Sequence, residues 1–314
     1  MHRAAKVSRR LKLRQLETLL AVAQCGNMAK AAEQLAVSQP VVSKTIANLE
    51  SALGVRLFDR NQRGVAPTLY GHALLKRSIA VLNDLRTGVS ELEFLSDPTA
   101  GELRIGSSEA VAAGMLGCII DRLARRHPQL MFETTLGGGL DDLQHRELQA
   151  HGIDLIIGRL PQVVPEELAT TKLYDERFYF VTGTQNAWAR RRRIKLADLL
   201  NEPWCLPSLE PYPWSLIANA FRDQGVALPR TVVTARSILL QNSLLATGRF
   251  IGILPRSVLH FCGKSLGLKT LPVDLAIAPY PVGIATLKNR TPNPAARVFV
   301  DCAIEIAKPF AGRK

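Results

Sequence analysis

The sequence predicts an α/β chain in three parts: a small helical unit with a β-hairpin at the amino end, one long helix, and two doubly wound α/β halves. Three observations carry this. Basic charge gathers at one end, helix-period apolar stripes fill residues 11–95, and strands alternate with helices after residue 101. At 314 residues the chain is long enough for two or three separate cores. Hydrophobic residues at 47% and charged residues at 21% exclude wholesale disorder.

The charge distribution indicates what kind of partner to expect. The net charge is +13, and residues 1–68 hold eleven Lys/Arg against four acids, a net +7. About half the excess therefore sits in the first fifth of the chain. An acidic partner is implied, with nucleic acid the first candidate and a membrane surface the second. No apolar run reaches about 18 residues, and no apolar segment with a cleavage site follows the basic amino end, so a cytoplasmic protein is expected. Cys25, Cys118, Cys205, Cys262 and Cys302 are scattered, odd in number and free of CxxC spacing. Reduced, buried thiols are expected rather than a disulfide framework or a zinc module.

Residues 11–24 place Leu13, Leu16, Leu20 and Ala23 on one helical stripe. Gly26-Asn27 breaks it, and Asn27 can cap a short helix from Met28 to Leu35, with Ala31, Ala32 and Leu35 inward. After the turn Ala36-Val37-Ser38-Gln39 a third helix spans about 39–53, with Ser38 as its cap and Pro40 in its first turn, where a missing N–H costs nothing. Val42, Ile46, Leu49 and Leu53 form its apolar stripe. Gln39, Pro40, Ser43, Lys44, Ala47 and Asn48 fall on the other side, and Gly54 stops it. Residues 55–69 fit a small hairpin with Arg60 and Arg63 near its tip. A long helix from Thr68 or Leu69 to Leu95 repeats Leu75, Leu82, Leu85, Val89 and Leu92 at near-heptad spacing, which suits a dimerising seam. Ser96–Gly101 reads as a hinge.

Beyond the hinge, strands at 102–107, 130–136, 154–158, 204–206, 231–234, 251–254 and 280–288 alternate with helices at 111–126, 140–150, 213–224, 238–246 and 294–307. This alternation predicts mainly parallel sheets. The expected organisation is residues 1–68, a linker at 69–100, and a domain at 101–314. Within that domain, one half is about 101–183 plus 276–314 and the other about 184–275.

The run AAEQLAVSQPVVSKTIANLESALGVRLFDR, with Leu16, Pro67-Thr68 and Gly71 around it, resembles the LysR-type transcriptional regulators. Gly106-Ser107-Ser108, Asp154–Gly158 and Gly252–Pro255 extend the resemblance in the right order over nearly the whole chain. It implies a winged helix-turn-helix followed by a periplasmic-binding-protein-like effector domain. One departure stands out: Asn27 and Met28 occupy places where the family usually has a small hydroxyl cap and an apolar residue, and Asn caps equally well.

Helix-turn-helix recognition requires a helix whose first residues reach base edges while its other face is locked to the domain. Ser38, Gln39, Pro40, Ser43, Lys44 and Asn48 meet that description, and the family implies the same positions. Gln39 can pair with adenine, and Lys44 can donate to guanine or to phosphate. Arg60 and Arg63 would enter the minor groove or hold phosphates, unless they are ordinary solvated charges. One reader covers too few base pairs for specificity, so a dimer on an interrupted palindromic operator in double-stranded DNA is expected. The family implies a dimer of dimers, with RNA polymerase as a further partner.

In a doubly wound sheet, ligands sit where strands end and helices begin. Ser107 and Ser108, Gly137 and Gly138, Pro207 and Ser208, and Arg236 and Ser237 stand at such turns. The family binds small carboxylates, sugars or phosphorylated metabolites there; the other reading makes the serines simple helix caps. Arg190–Arg193 reads as a solvated helix face or a phosphate contact, and Trp188, Trp204 and Trp214 as core or packing residues.

Three rival functions fit the residues less well. An enzyme would need a motif that is missing: GxxxxGK[ST], GxSxG and HExxH do not occur, and no cofactor is expected. His145 and His151 with Asp141 and Asp142 do not align on one helix face as metal ligands would. A transport-type binding protein would have no use for residues 11–68. An architectural DNA protein would bind with steep salt dependence and little sequence preference.

Overall fold

The computed structural model describes residues 11–61, 64–97, 100–137, 148, 152–207, 211–229, 231–273, 277–288 and 293–311. They form two units: residues 1–92 with 146–152, and 93–145 with 153–314.

In the first unit, α1 (Leu13–Cys25), α2 (Met28–Gln34) and α3 (Gln39–Leu53) precede a hairpin of β1 (Phe58–Asn61) and β2 (Gly64–Pro67). The α1 stripe is rotated by one residue from the expected one: Leu16, Leu19 and Val22 are buried, while Leu13 is 42% exposed. Asn27 caps α2 as its chemistry predicts, its Oδ1 accepting the amides of Ala29 (2.7 Å) and Lys30 (3.2 Å). Ser38 holds the cap position of α3 but makes no side-chain cap bond, so Pro40 and the burial of Val42, Ile46 and Leu49 fix that helix. Gly26 and Gly54 terminate α1 and α3 in the left-handed region. Ala36, in the turn before α3, also has a positive φ of 51°.

The long helix α4 (Leu69–Ser96) begins with Thr68, whose Oγ1 accepts the Gly71 amide at 3.1 Å and donates to Arg56 O at 2.7 Å. Gly71 is required there, because a Cβ would collide with the Leu57 carbonyl. Leu75 differs from its expected place in the seam. It is buried in the core of the first unit with Leu57 and Phe58. Further along, Leu85, Val89 and Leu92 remain 51%, 48% and 66% exposed. Arg86 Nη2 donates to Gly152 O at 2.8 Å.

The second unit holds two five-stranded sheets. In chain order its elements are β3 (Ala100–Ser108), α5 (Glu109–Val111), a π-helical turn (Ala112–Leu116), α6 (Gly117–Arg126), β4 (Gln129–Gly137) and β5 (Leu155–Arg159). They continue with β6 (Leu168–Glu176), β7 (Phe178–Gly183), β8 (Trp204–Pro207), α7 (Pro211–Asp223), β9 (Thr231–Ala235) and α8 (Ile238–Ala246). The chain closes with β10 (Ile251–Pro255), α9 (Arg256–Cys262), β11 (Leu268–Thr270), β12 (Tyr280–Leu287) and α10 (Pro294–Ala311).

The first sheet runs β4-β3-β5-β12-β6 and the second β11-β7-β10-β8-β9. Each is mixed rather than mainly parallel as the alternation suggested. β3 pairs with β4 and β5 in parallel, and β8 does so with β9 and β10. β12 and β7 enter antiparallel to their neighbours. The expected boundary at residue 183 also moves. β7 bonds to β10 and β11, so the second half begins at Phe178 and the crossing falls at Arg177. The expected helix at 140–150 lies almost wholly outside the described residues.

Leu103, Ile105, Leu155, Ile157 and Phe299 centre the first half's core. In the second half Trp204 is fully buried, edge-on to Phe180 at 5.8 Å and Phe221 at 6.2 Å, and its Nε1 donates to Leu199 O at 2.8 Å. Trp188 is half-buried and donates to Glu202, so both fulfil the packing role expected of them; the Trp214 side chain lies outside the described residues.

Candidate functional sites

The DNA-facing candidates separate cleanly from the core on α3. Val42, Ile46 and Leu49 are fully buried, while Ser38, Gln39, Pro40, Lys44, Ala47 and Asn48 are exposed and Ser43 is half-buried. One helix thus presents a polar face carrying one cation, with its apolar face anchored on α1 and α2. The hairpin is braced from the same helix: Glu50 Oε1 accepts the amides of Leu57 and Phe58. Val65 N donates to Gly26 O at 2.8 Å, which fixes the second hairpin strand on the α1–α2 corner. The backbone of Arg60 lies in β1; its side chain and the whole of Arg63 are outside the described residues.

At the strand ends of the second unit, Ser107 is fully buried in β3 and its Oγ donates to Ser108 O at 3.1 Å. Ser108 is half-buried at the cap position of α5 and makes no side-chain cap bond, which leaves its hydroxyl outside the capping role. Ser237 does cap, its Oγ accepting the Leu240 amide at 3.3 Å. Pro207 ends β8 half-buried, Arg236 is exposed, and Gly137 ends β4. Gly138 and Ser208 lie outside the described residues, as do Asp141, Asp142, His145 and His151.

Two contacts between the halves escaped the sequence reading. Glu109 Oε1 accepts the Ile238 amide at 2.9 Å, joining the end of β3 in one half to the start of α8 in the other. The second centres on Glu176, at the crossing between halves and 2% exposed. Its carboxylate accepts the Ser257 hydroxyl, the Ser257 amide (3.2 Å) and the Arg177 amide (3.1 Å). Burial pushes the Glu176 carboxyl above its ordinary range, against the pull of these bonds. Burial also pushes the neighbouring Tyr174 hydroxyl up. The π-helical turn packs closely on α9, with a Cβ on Gly114 brought to 3.3 Å from Ser257 backbone. No sequence pattern announced either contact, since their partners stand 129 and 81 residues apart.

Cysteine placement departs from the expectation of buried thiols. Cys205 and Cys302 are buried, Cys25 and Cys262 are half-buried, and Cys118 is exposed; all five are free. Burial raises the Cys205 thiol to about 11. Arg190–Arg193 are all exposed. Among the described residues no cluster of His, Cys, Asp and Glu could hold a metal ion, and no helix is long and apolar enough to cross a membrane.

A winged three-helix unit with a polar-faced helix, followed by an α/β region of two five-stranded sheets, is the architecture of a DNA-binding regulator with an effector domain. Residues 13–72 match the bacterial regulatory helix-turn-helix protein, lysR family, and residues 96–308 match the LysR substrate binding domain. The chain belongs to the LysR family of DNA-binding transcriptional regulators with an effector-binding domain. It is 30% identical over 290 residues to the transcriptional regulator GbpR of Azospirillum brasilense, covering 92% of this chain and 84% of that one. It is 27% identical to BenM of Acinetobacter baylyi, over 90% and 92% of the two chains. Among solved structures, full-length OxyR from Pseudomonas aeruginosa superposes with a TM-score of 0.69 at 21% identity, covering 97% of this chain and 99% of that one. Full-length CbnR in complex with its target DNA superposes at 0.65 and 23%, covering 94% and 100%.

Proposed function

We propose that this chain is a cytoplasmic regulator that binds an interrupted palindrome in double-stranded DNA and changes promoter binding or bending when a small molecule occupies the crevice between the α/β halves. The observation that carries the DNA reading is the division of α3: Gln39, Pro40, Lys44 and Asn48 exposed, directly behind buried Val42, Ile46 and Leu49. In this reading Gln39 addresses a base edge, Ser43, Lys44 and Asn48 hold the register, and Arg60 and Arg63 contact the backbone or minor groove. Homo-oligomerisation follows from the exposed apolar line Leu85, Val89 and Leu92 on α4; dimers would then pair into a dimer of dimers, with RNA polymerase as a promoter-bound partner.

The effector would lie against the turns at Ser107-Ser108, Gly137-Gly138, Pro207-Ser208 and Arg236-Ser237. The Ser108 hydroxyl, which makes no cap bond, supports this for the first turn. Replacing Ser107 and Ser108 together with Ala abolishes the effector response without unfolding the domain; an unchanged response places the effector elsewhere. The DNA reading is tested by selecting bound fragments from genomic DNA at a stated salt concentration. An interrupted palindrome is expected, and a flat profile would replace this reading with an architectural DNA protein.

A further inference from the structure

We infer that Glu109 sets the charge class of the effector: the ligand end that meets the turn between Ser108 and α8 is a hydrogen-bond donor and carries no negative charge. The inference rests on reading the crevice between the halves as the effector site.

Glu109 is the first residue of α5, directly after Ser108, so its carboxylate lies in the positive first turn of its own helix. The same carboxylate accepts the Ile238 amide at 2.9 Å, and Ile238 is the first residue of the nine-residue α8. The amino terminus of α8 therefore meets a carboxylate from the other half. Free N–H groups at a helix start are where an anionic effector would be held. Here the place is filled by an anion the chain itself carries.

The rest of the first turn of α8 is largely satisfied. Ser237 Oγ accepts the Leu240 amide, and Ser237 O accepts the Gln241 amide at 3.0 Å. Arg236, the cation at this turn, is exposed and has an interaction of its own. The unfilled atom here is an acceptor: Glu109 Oε2 has no hydrogen-bond partner among the described residues. A ligand hydroxyl, amide N–H or ammonium group would satisfy it. A carboxylate or phosphate would add a further acceptor and set like charge beside Glu109.

The test compares full-length wild type with Glu109→Ala and Glu109→Gln, using inorganic phosphate as the probe. Phosphate-dependent thermal stabilisation is read at constant ionic strength. Wild type is expected to show no saturable phosphate effect from this site. Glu109→Ala, which frees the Ile238 amide and removes the charge, is expected to gain a phosphate site at least about tenfold tighter than anything in wild type. Glu109→Gln keeps an oxygen on the amide without the charge and is expected to gain less; it also serves if the alanine variant fails to fold. Equal phosphate affinity in all three proteins, or no gain in either variant, overturns the inference. The Ser107/Ser108 double replacement separates the two levels. If it abolishes the effector response while Glu109 proves indifferent to phosphate, the crevice is the site and only the charge assignment fails. If phosphate enters upon removal of Glu109 while the double replacement leaves the response intact, the effector site lies elsewhere.

Discussion

Glu50, near the end of α3, accepts the amide hydrogen of Leu57 at 2.7 Å and, with the same oxygen, that of Phe58 at 3.2 Å. The hairpin is thus positioned by a side chain of the helix it flanks. Glu50→Ala would leave two part-buried amides without this acceptor. The expected cost is about 1–3 kcal/mol of stability in the first unit. Hydrogen exchange at Leu57 and Phe58 should accelerate accordingly, and unchanged protection would show that the bonds carry no weight.

Gln39 stands exposed at the first position of α3. Gln39→Ala should weaken specific operator binding by about 1–3 kcal/mol and leave non-specific binding nearly intact. Equal losses on operator and random DNA, measured at one salt concentration, would remove Gln39 from base recognition.

Val89 is 48% exposed and Leu82 half-buried on the apolar line of α4. Changing both to Asp should yield monomers in sedimentation, since two charges cannot enter an apolar seam without partners. A dimer that survives would place the seam elsewhere.

Glu176 provides a pH signature. Burial holds its folded pKa above the ordinary carboxylate value, so between the two the folded chain binds more protons than the unfolded one. Stability therefore falls as pH rises from about the unfolded value through the raised folded one, the reverse of a salt-bridged carboxylate. Glu176→Gln should flatten that part of the stability curve in denaturant titrations, whereas an identical curve would assign the pH dependence to other groups.

The DNA-reading unit was legible because its signals are local. Asn27 caps two residues ahead, Gly54 closes its own helix, and Val42, Ile46 and Leu49 repeat within eleven residues of Gln39. The second unit was legible as strands and helices but not as a connected object. β6 buries Leu168, Leu173, Tyr174 and Glu176 with exposed residues between them in no strict alternation, so Leu168–Glu176 gave no strand signal. It is held instead by β12, more than a hundred residues on. Residues 178–183 likewise gave no strand signal and fell within the first half's expected bounds, whereas β7 pairs with β10 and β11. Glu109 escaped notice because a lone acid beside two serines looks like an ordinary first-turn residue. Only the fold brings Ile238 to it.

The crossing at Arg177 has a mechanical consequence. The second half, from Phe178 to β11, is an insertion in the chain of the first, and its entering strand β7 pairs directly with its last strand β11. Entry and exit therefore lie side by side, as two pins on one edge of a door. A rotation of one half about the line through these pins would be resisted by the Glu109 bond to the Ile238 amide, which also joins the halves.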